Sequence, residues 1–197
     1  NNTYDKMNKE EFLNKLRANT TQQFDMPDMN INGIKYDDTL AQFISMTETS
    51  GGKVVNAKKD DDLNAIIREV YPDAKVIASN VSGINASLNP DTVAEAQDLN
   101  GTDVGVVNGE VGVAENACVW VPQSMKEKSV CFISENLVII LHKRSIVDNM
   151  HDAYKAIHMT DYGFGCFISG PSKTADIEQS LVMGAQAARS VTIILID

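Results

Sequence analysis

The densest run of groups able to do chemistry is Phe167-Ile168-Ser169-Gly170-Pro171-Ser172-Lys173-Thr174-Ala175-Asp176-Ile177-Glu178. An apolar stretch gives way to a polar turn carrying three hydroxyls and then two carboxylates. Open α/β sheets bind ligands at the carboxyl ends of their strands, where turns of this kind gather. Gly170 lets the backbone approach a ligand closely, while Ser169, Ser172 and Thr174 offer hydroxyls. The pattern predicts a strand over 164–169 and a helix from about Ala175, with Thr174 as its N-cap. Free amides at such a helix start attract anions. The same residues also serve a plain structural end, because Asp176 and Glu178 in a first turn complement the helix dipole.

A second segment, Asn108-Gly109-Glu110-Val111-Gly112-Val113-Ala114-Glu115, brings two more acids around an Asn-Gly turn signal. Carboxylates gathered in one cleft act as general acid and base when burial and mutual repulsion raise one pKa. They could equally hold a divalent cation through oxygen ligands, although no ligand spacing here enforces that. Ser172 lacks a G-x-S-x-G elbow, and neither a G-x-x-x-x-G-K-[ST] loop nor a G-x-G-x-x-G fingerprint occurs, so nucleotide hydrolysis and dinucleotide binding are poorly supported. His142, His151 and His158 cluster in sequence; His151 and His158 flank the apolar stripe of a helix expected over 146–159 and read as rim or surface groups. Cys118, Cys131 and Cys166 stand 13 and 35 residues apart in apolar settings and read as core packing.

The run from Ile168 to Glu178 resembles the C-terminal signature of LUD-domain proteins of the LutC/YkgG, lactate-utilisation type. The segment Asn108 to Glu115 is similar to that family's acid-containing strand and turn, which ends in an Ala-Glu pair. The likeness covers the last half of the chain, and the first hundred residues fit in element order. Two departures stand out: Asn116-Ala117-Cys118 where the family usually has Thr-Gly-Thr, and Gln186-Ala187-Ala188-Arg189 where it has a His-Gly-Pro run.

The resemblance implies a three-layer Rossmann-like α/β domain with a largely parallel sheet, similar to the NagB/RpiA/CoA transferase-like fold. It implies Glu115, Asp176 and Glu178 as catalytic residues, and Glu110, Gly170, Ser172 and Thr174 as substrate-binding ones. It also implies an accessory subunit of an L-lactate to pyruvate oxidation system, working beside iron–sulfur partner proteins. Three dispersed cysteines cannot build a four-ligand cluster, so the expectation is no cofactor on this chain alone and iron–sulfur clusters on its partners. The alternative is a stand-alone enzyme or binding protein for a small phosphorylated or carboxylated metabolite on the same scaffold.

The elements that must position these residues follow from period. Apolar stripes predict helices over 5–19 and 38–49, a strand over Lys53–Ala57, and a helix after Asp60-Asp61-Asp62 with Leu63, Ile66, Ile67 and Val70 inward. A short strand over 74–78 precedes a helix around 91–99, and β-rich segments follow over 103–107, 111–114 and 117–121. Buried strands are expected at 137–141 and 191–196. Such alternation of helix and strand is the mark of an α/β domain. Residues 1–30 read as an N-terminal helical arm ahead of one α/β domain over 31–197.

Composition bounds the partners. With 17 basic against 27 acidic residues the net charge is −10, and no basic patch is present for a nucleic acid. No apolar run approaches the ~20 residues of a membrane span, and no apolar leader core opens the chain, so the cytoplasm is the expected location. A small carboxylate or phosphorylated metabolite fits better as ligand, and a homo-oligomer stays open.

Overall fold

The computed structural model describes residues 8–20, 22, 24–28, 31–159, 162–177, 180–184 and 188–197. The chain divides into two compact units, Asn1–Asn32 and Gly33–Asp197. In the first, helix α1 (Lys9–Ala18) opens with a capping box. The Asn8 side chain accepts the Glu11 amide at 2.9 Å, and Glu11 reaches back to the Asn8 amide at 3.2 Å. Phe12 and Leu16 on this helix are exposed.

The second unit runs α2 (Thr39–Thr49), β1 (Lys53–Ala57), α3 (Leu63–Val70), β2 (Ile77–Ala78), β3 (Val104–Asn108), β4 (Val111–Val113), β5 (Val119–Pro122) and α4 (Val130–Ile133). It continues with β6 (Asn136–His142), β7 (Ile146–Val147), α5 (Met150–Ala156), β8 (Gly165–Ile168), β9 (Lys173–Ile177), β10 (Ser180–Met183) and β11 (Ser190–Ile196). Acidic N-caps start two of the helices: Asp38 accepts the Ala41 amide and Asp62 the Asn64 amide.

Five strands form a wholly parallel sheet in the order β1-β11-β6-β3-β2. Strands β6 and β11 at its centre are apolar almost throughout because both faces are covered. Leu137, Ile139, Leu141, Val191, Ile193 and Leu195 point to one side, against Phe43 of α2 and Val119 of β5. Val138, Ile140 and Ile194 point to the other, against Ile67 of α3. The result is a three-layer α/β fold. A four-stranded sheet, β7-β4-β5-β8, lies on the α2 side, and β9 and β10 pair as a separate antiparallel hairpin. Within the four-stranded sheet Trp120 faces Phe167 with ring centroids 4.9 Å apart, and Gly165 lies so close to the indole that any Cβ there would collide with it.

Three helices expected from sequence come out differently. Around 91–99 only a short 3-10 turn, Ala96–Leu99, forms. Asn89 and Asp91 there spend their side chains on the amides of Asp91 and Lys126, which competes with helical bonding. The helix expected over 146–159 begins at Met150, because Ile146 and Val147 pair with β4 and Asn149 caps α5 by accepting the Asp152 amide. The helix expected from Ala175 is the β9–β10 hairpin instead, with Thr174 opposite Val182 rather than at an N-cap. The Ser172 amide donates to the Ala188 carbonyl and its carbonyl accepts the Gly184 amide, so the segment is tied to a distant stretch of chain rather than to its own next turn. No helix among the described residues is long and apolar enough to cross a membrane.

Candidate functional site

The turn after β8 is held by the end of α2. Gly170 has φ +62°, a conformation that only glycine adopts freely. A Cβ at Gly170 would also come within 2.7 Å of the Ser50 carbonyl oxygen. Pro171 packs over Gly51, and the Lys173 ammonium donates to the Ser50 carbonyl. The turn and the α2–β1 connection thus brace one another, and the brace fixes where Ser172 and Lys173 stand.

Beside this turn lies a hollow of about 420 Å³. Buried Cys131, Leu137, Ala188 and Val191 form its floor, Phe132 stands 42% exposed at its mouth, and Ser169 to Lys173 form the opposite wall. The Ser172 hydroxyl makes no hydrogen bond, and Lys173 no ion pair, among the described residues. Because Leu137 and Val191 lie near the starts of β6 and β11, the hollow opens at the amino edge of the parallel sheet, not at the carboxyl edge that sequence suggested. The reason is that β8 belongs to the second sheet, antiparallel to β5, so its carboxyl end reaches the opposite edge of the main sheet.

Among the described side chains, the acids Glu110 and Glu115 are engaged separately. Glu110 accepts the Tyr162 hydroxyl at 2.9 Å, and Tyr162 in turn accepts the Trp120 indole N–H at 3.0 Å. Glu115, in the turn that follows β4, accepts the Met150 amide at 3.0 Å. It therefore satisfies one of the free amides that open α5. Thr174 and Asp176 lie on β9, and Glu178 lies outside the described residues. Just past Glu115 the chain meets the other segment: the Ser169 hydroxyl donates to the Asn116 carbonyl at 2.8 Å. Ala117 follows with φ +56°, at the place where the family usually has glycine.

The cysteines flank this region as thiols. Burial pushes Cys131 up to about 12. Burial also raises Cys118, with Glu115's charge adding to it and a hydrogen bond from Ser169 opposing, and burial raises Cys166. Raised thiols are poor nucleophiles and poor metal ligands. His151 and His158 are exposed. No group of three metal-ligating side chains occurs among the described residues.

Sequence reasoning passed over several groups that the structure makes prominent. Lys173 sits inside the signature run yet was not singled out, and its neighbour Ser172 was the available signal. Phe132 comes from a four-residue helix in a polar break, and no periodicity marks it. Asp148 gathers the Thr39 hydroxyl at 2.5 Å, the Lys35 ammonium at 3.1 Å and the Tyr36 amide, and these hold its carboxyl below the usual range. A second hollow of about 310 Å³ opens at the same sheet edge on the α3 side, beside Tyr71, Asp103, Glu135 and Asn136. There the Tyr71 hydroxyl meets Ser190 and Thr192, each at 2.8 Å.

The three-layer α/β fold carries a matching family: residues 91–196, more than half of the chain, match the LUD domain. The chain belongs to the LUD-domain family. Within it the chain is of the LutC type, similar to several proteins named lactate utilization protein C. The one from Oceanobacillus iheyensis is 31% identical over 103 residues, covering 48% of this chain and 44% of that protein. The one from Geobacillus sp. strain WCH70 is 27% identical over 174 residues, covering 83% and 69%. The chain spans about half the length of several of these curated relatives. A crystal structure of a DUF162 family protein from Deinococcus radiodurans superposes with a TM-score of 0.61 at 11% identity, covering 84% of this chain and 100% of that one, a likeness of fold.

Proposed function

We propose that this chain serves L-lactate utilisation as an accessory subunit in the oxidation of lactate to pyruvate, beside iron–sulfur partner proteins, and that it holds an anionic metabolite in the hollow between Phe132 and Lys173. The observation that carries this reading is the pairing of Ser172 and Lys173 on one wall, built from a segment within the LUD-domain match. A hydroxyl donor and an ammonium on adjacent residues can orient and neutralise a carboxylate through charge-assisted hydrogen bonds. Gly170 keeps that wall close to the ligand. Asp176 and Glu178, just beyond in sequence, are the acids we assign to proton movement, and Glu115 instead holds the start of α5. Electron transfer belongs to the partners in this reading, since three cysteines fall short of a four-ligand cluster.

Affinity purification of the tagged chain from its native host during growth on L-lactate is expected to recover iron–sulfur proteins, and deletion of its gene to impair that growth. Unchanged growth would overturn the lactate role. A thermal-shift panel of lactate, pyruvate, sugar phosphates and coenzyme A then addresses the hollow, because a ligand bound to the native state raises its melting temperature. A carboxylate hit lost in Lys173→Gln supports the site. A sugar-phosphate hit with turnover by the pure chain would replace this reading with a stand-alone enzyme.

A further inference from the structure

The hollow beside Ser172 and Lys173 is built for more than a three-carbon acid. Its volume of about 420 Å³ lies in the range that accommodates drug-sized ligands. Its floor is apolar: Leu137 and Val191 are each 1% exposed, and Cys131, kept as a neutral thiol by burial, completes it. At the mouth Phe132 leaves 42% of its surface open, next to its buried neighbours Val130 and Cys131 on α4. Among the described residues the polar side chains against this apolar bed lie on one wall: the Ser172 hydroxyl, Ser169, whose hydroxyl is given to the Asn116 carbonyl, and Lys173, whose ammonium gives one of its three donors to the Ser50 carbonyl. Charge sits at one end and hydrocarbon at the other.

Resting on the reading of this hollow as the ligand site, we propose that its ligand is an amphipathic monocarboxylate, an apolar body of several carbons whose anionic head meets Ser172 and Lys173 and whose tail lies over Leu137 and Val191 under Phe132. A lactate molecule alone would leave the apolar floor wet. An amphipathic acid removes water from both, and burial of its methylenes supplies the binding energy that a single exposed ammonium cannot.

The test is calorimetric titration of the full 197-residue chain with lactate, hexanoate, octanoate and decanoate, all below micelle formation, with decanol and decylamine as charge controls. The expected result is one site per chain, with affinity rising by up to about fourfold for each added methylene. Decanoate should bind at least tenfold more tightly than decanol, with decylamine weakest. Lys173→Gln should remove the preference for decanoate over decanol while leaving the chain-length slope. Phe132→Ala, at a position open enough to leave the fold intact, should flatten that slope. An affinity independent of chain length overturns the proposal. Binding of several alkanoates per chain that both substitutions leave unchanged also overturns it, since that is adsorption to exposed apolar surface. Lactate or pyruvate binding that depends on Lys173, with no gain from longer chains, overturns this inference and leaves the proposed function standing. Failure of every carboxylate to bind overturns the hollow as a ligand site altogether.

Discussion

The two signature segments look alike as lists of residue types, and the fold treats them in opposite ways. Along Glu110 to Cys118 the polar groups are absorbed by the structure. Glu110 takes the Tyr162 hydroxyl, Glu115 takes the Met150 amide, and the Asn116 side chain takes the Cys118 amide at 3.1 Å. Along Ser169 to Lys173 main-chain bonds to Ala188 and Gly184 and the Lys173 ammonium on the Ser50 carbonyl hold the turn, and the Ser172 hydroxyl is left without a hydrogen bond among the described residues, beside a hollow. A carboxylate that caps a helix is spent on stability, whereas a hydroxyl on a turn fixed by main-chain bonds is still available to a ligand. Motif composition does not distinguish these, and hydrogen-bond accounting does.

Substitutions can break or sharpen that contrast. The largest effect is expected at Gly170→Ala, which places a Cβ in a left-handed conformation against the Ser50 carbonyl and should cost about 2–3 kcal/mol in urea unfolding. Ligand affinity in the thermal-shift panel should fall with it. Glu115→Ala removes a charge-assisted bond to the first amide of α5 and should cost about 1–2 kcal/mol, with affinity in the hollow unchanged. If Glu115→Ala instead abolished binding at constant stability, the division between the segments would collapse. Tyr162→Phe strips the hydroxyl between Trp120 and Glu110 and should cost about 1 kcal/mol by the same measurement. Ser172→Ala is expected to shift stability by less than about 0.5 kcal/mol, while weakening a bound carboxylate.

Acid adds a finer probe of the structural side. Asp148 is depressed below 3.8 chiefly by the Thr39 hydroxyl, with Lys35 and the Tyr36 amide adding to it. A carboxyl with a lowered folded-state pKa stabilises the fold above its ordinary value, and that contribution disappears as pH falls through the depressed pKa. In Thr39→Ala the Asp148 midpoint, followed by carboxyl carbon NMR, should climb back toward 3.8, and acid unfolding should begin at a higher pH. An unmoved midpoint would show that Lys35 and the Tyr36 amide set it.

The central sheet was largely legible in the sequence because its signal is local. Runs such as Leu137 to Leu141 and Val191 to Ile196 have no other stable use than strands buried on both faces, and Lys53–Ala57 matches β1 residue for residue. The parts that misled were those decided by distant partners. Thr174-Ala175-Asp176 carries good helix-start chemistry, yet main-chain bonds from Ser172 to Ala188 and Gly184 draw it into a hairpin. Ile146 and Val147 fit a helical stripe and are claimed by β4. Gly170 and Ser172 stand out in the sequence because the turn concentrates unusual residue types, whereas Phe132 and Ser50 come beside them only through spatial neighbourhood. The edge of the main sheet at which this turn stands was not legible because nothing in the order of residues says that β8 belongs to a second sheet.

The position of β11 between β1 and β6 has a bearing on how the molecule comes into being. In the sheet β1 has β11 as its single neighbour, and the pairing of Lys53 with Thr192 spans most of the chain. During synthesis β1 must therefore wait with both hydrogen-bonding edges open while β3 and β6 can already zip together. Long-range parallel closure of this sort is slow and leaves strand edges vulnerable to other chains in the interval. A nascent chain arrested before Ser190 would present β1 and β6 as two unsatisfied edges, a natural substrate for a chaperone.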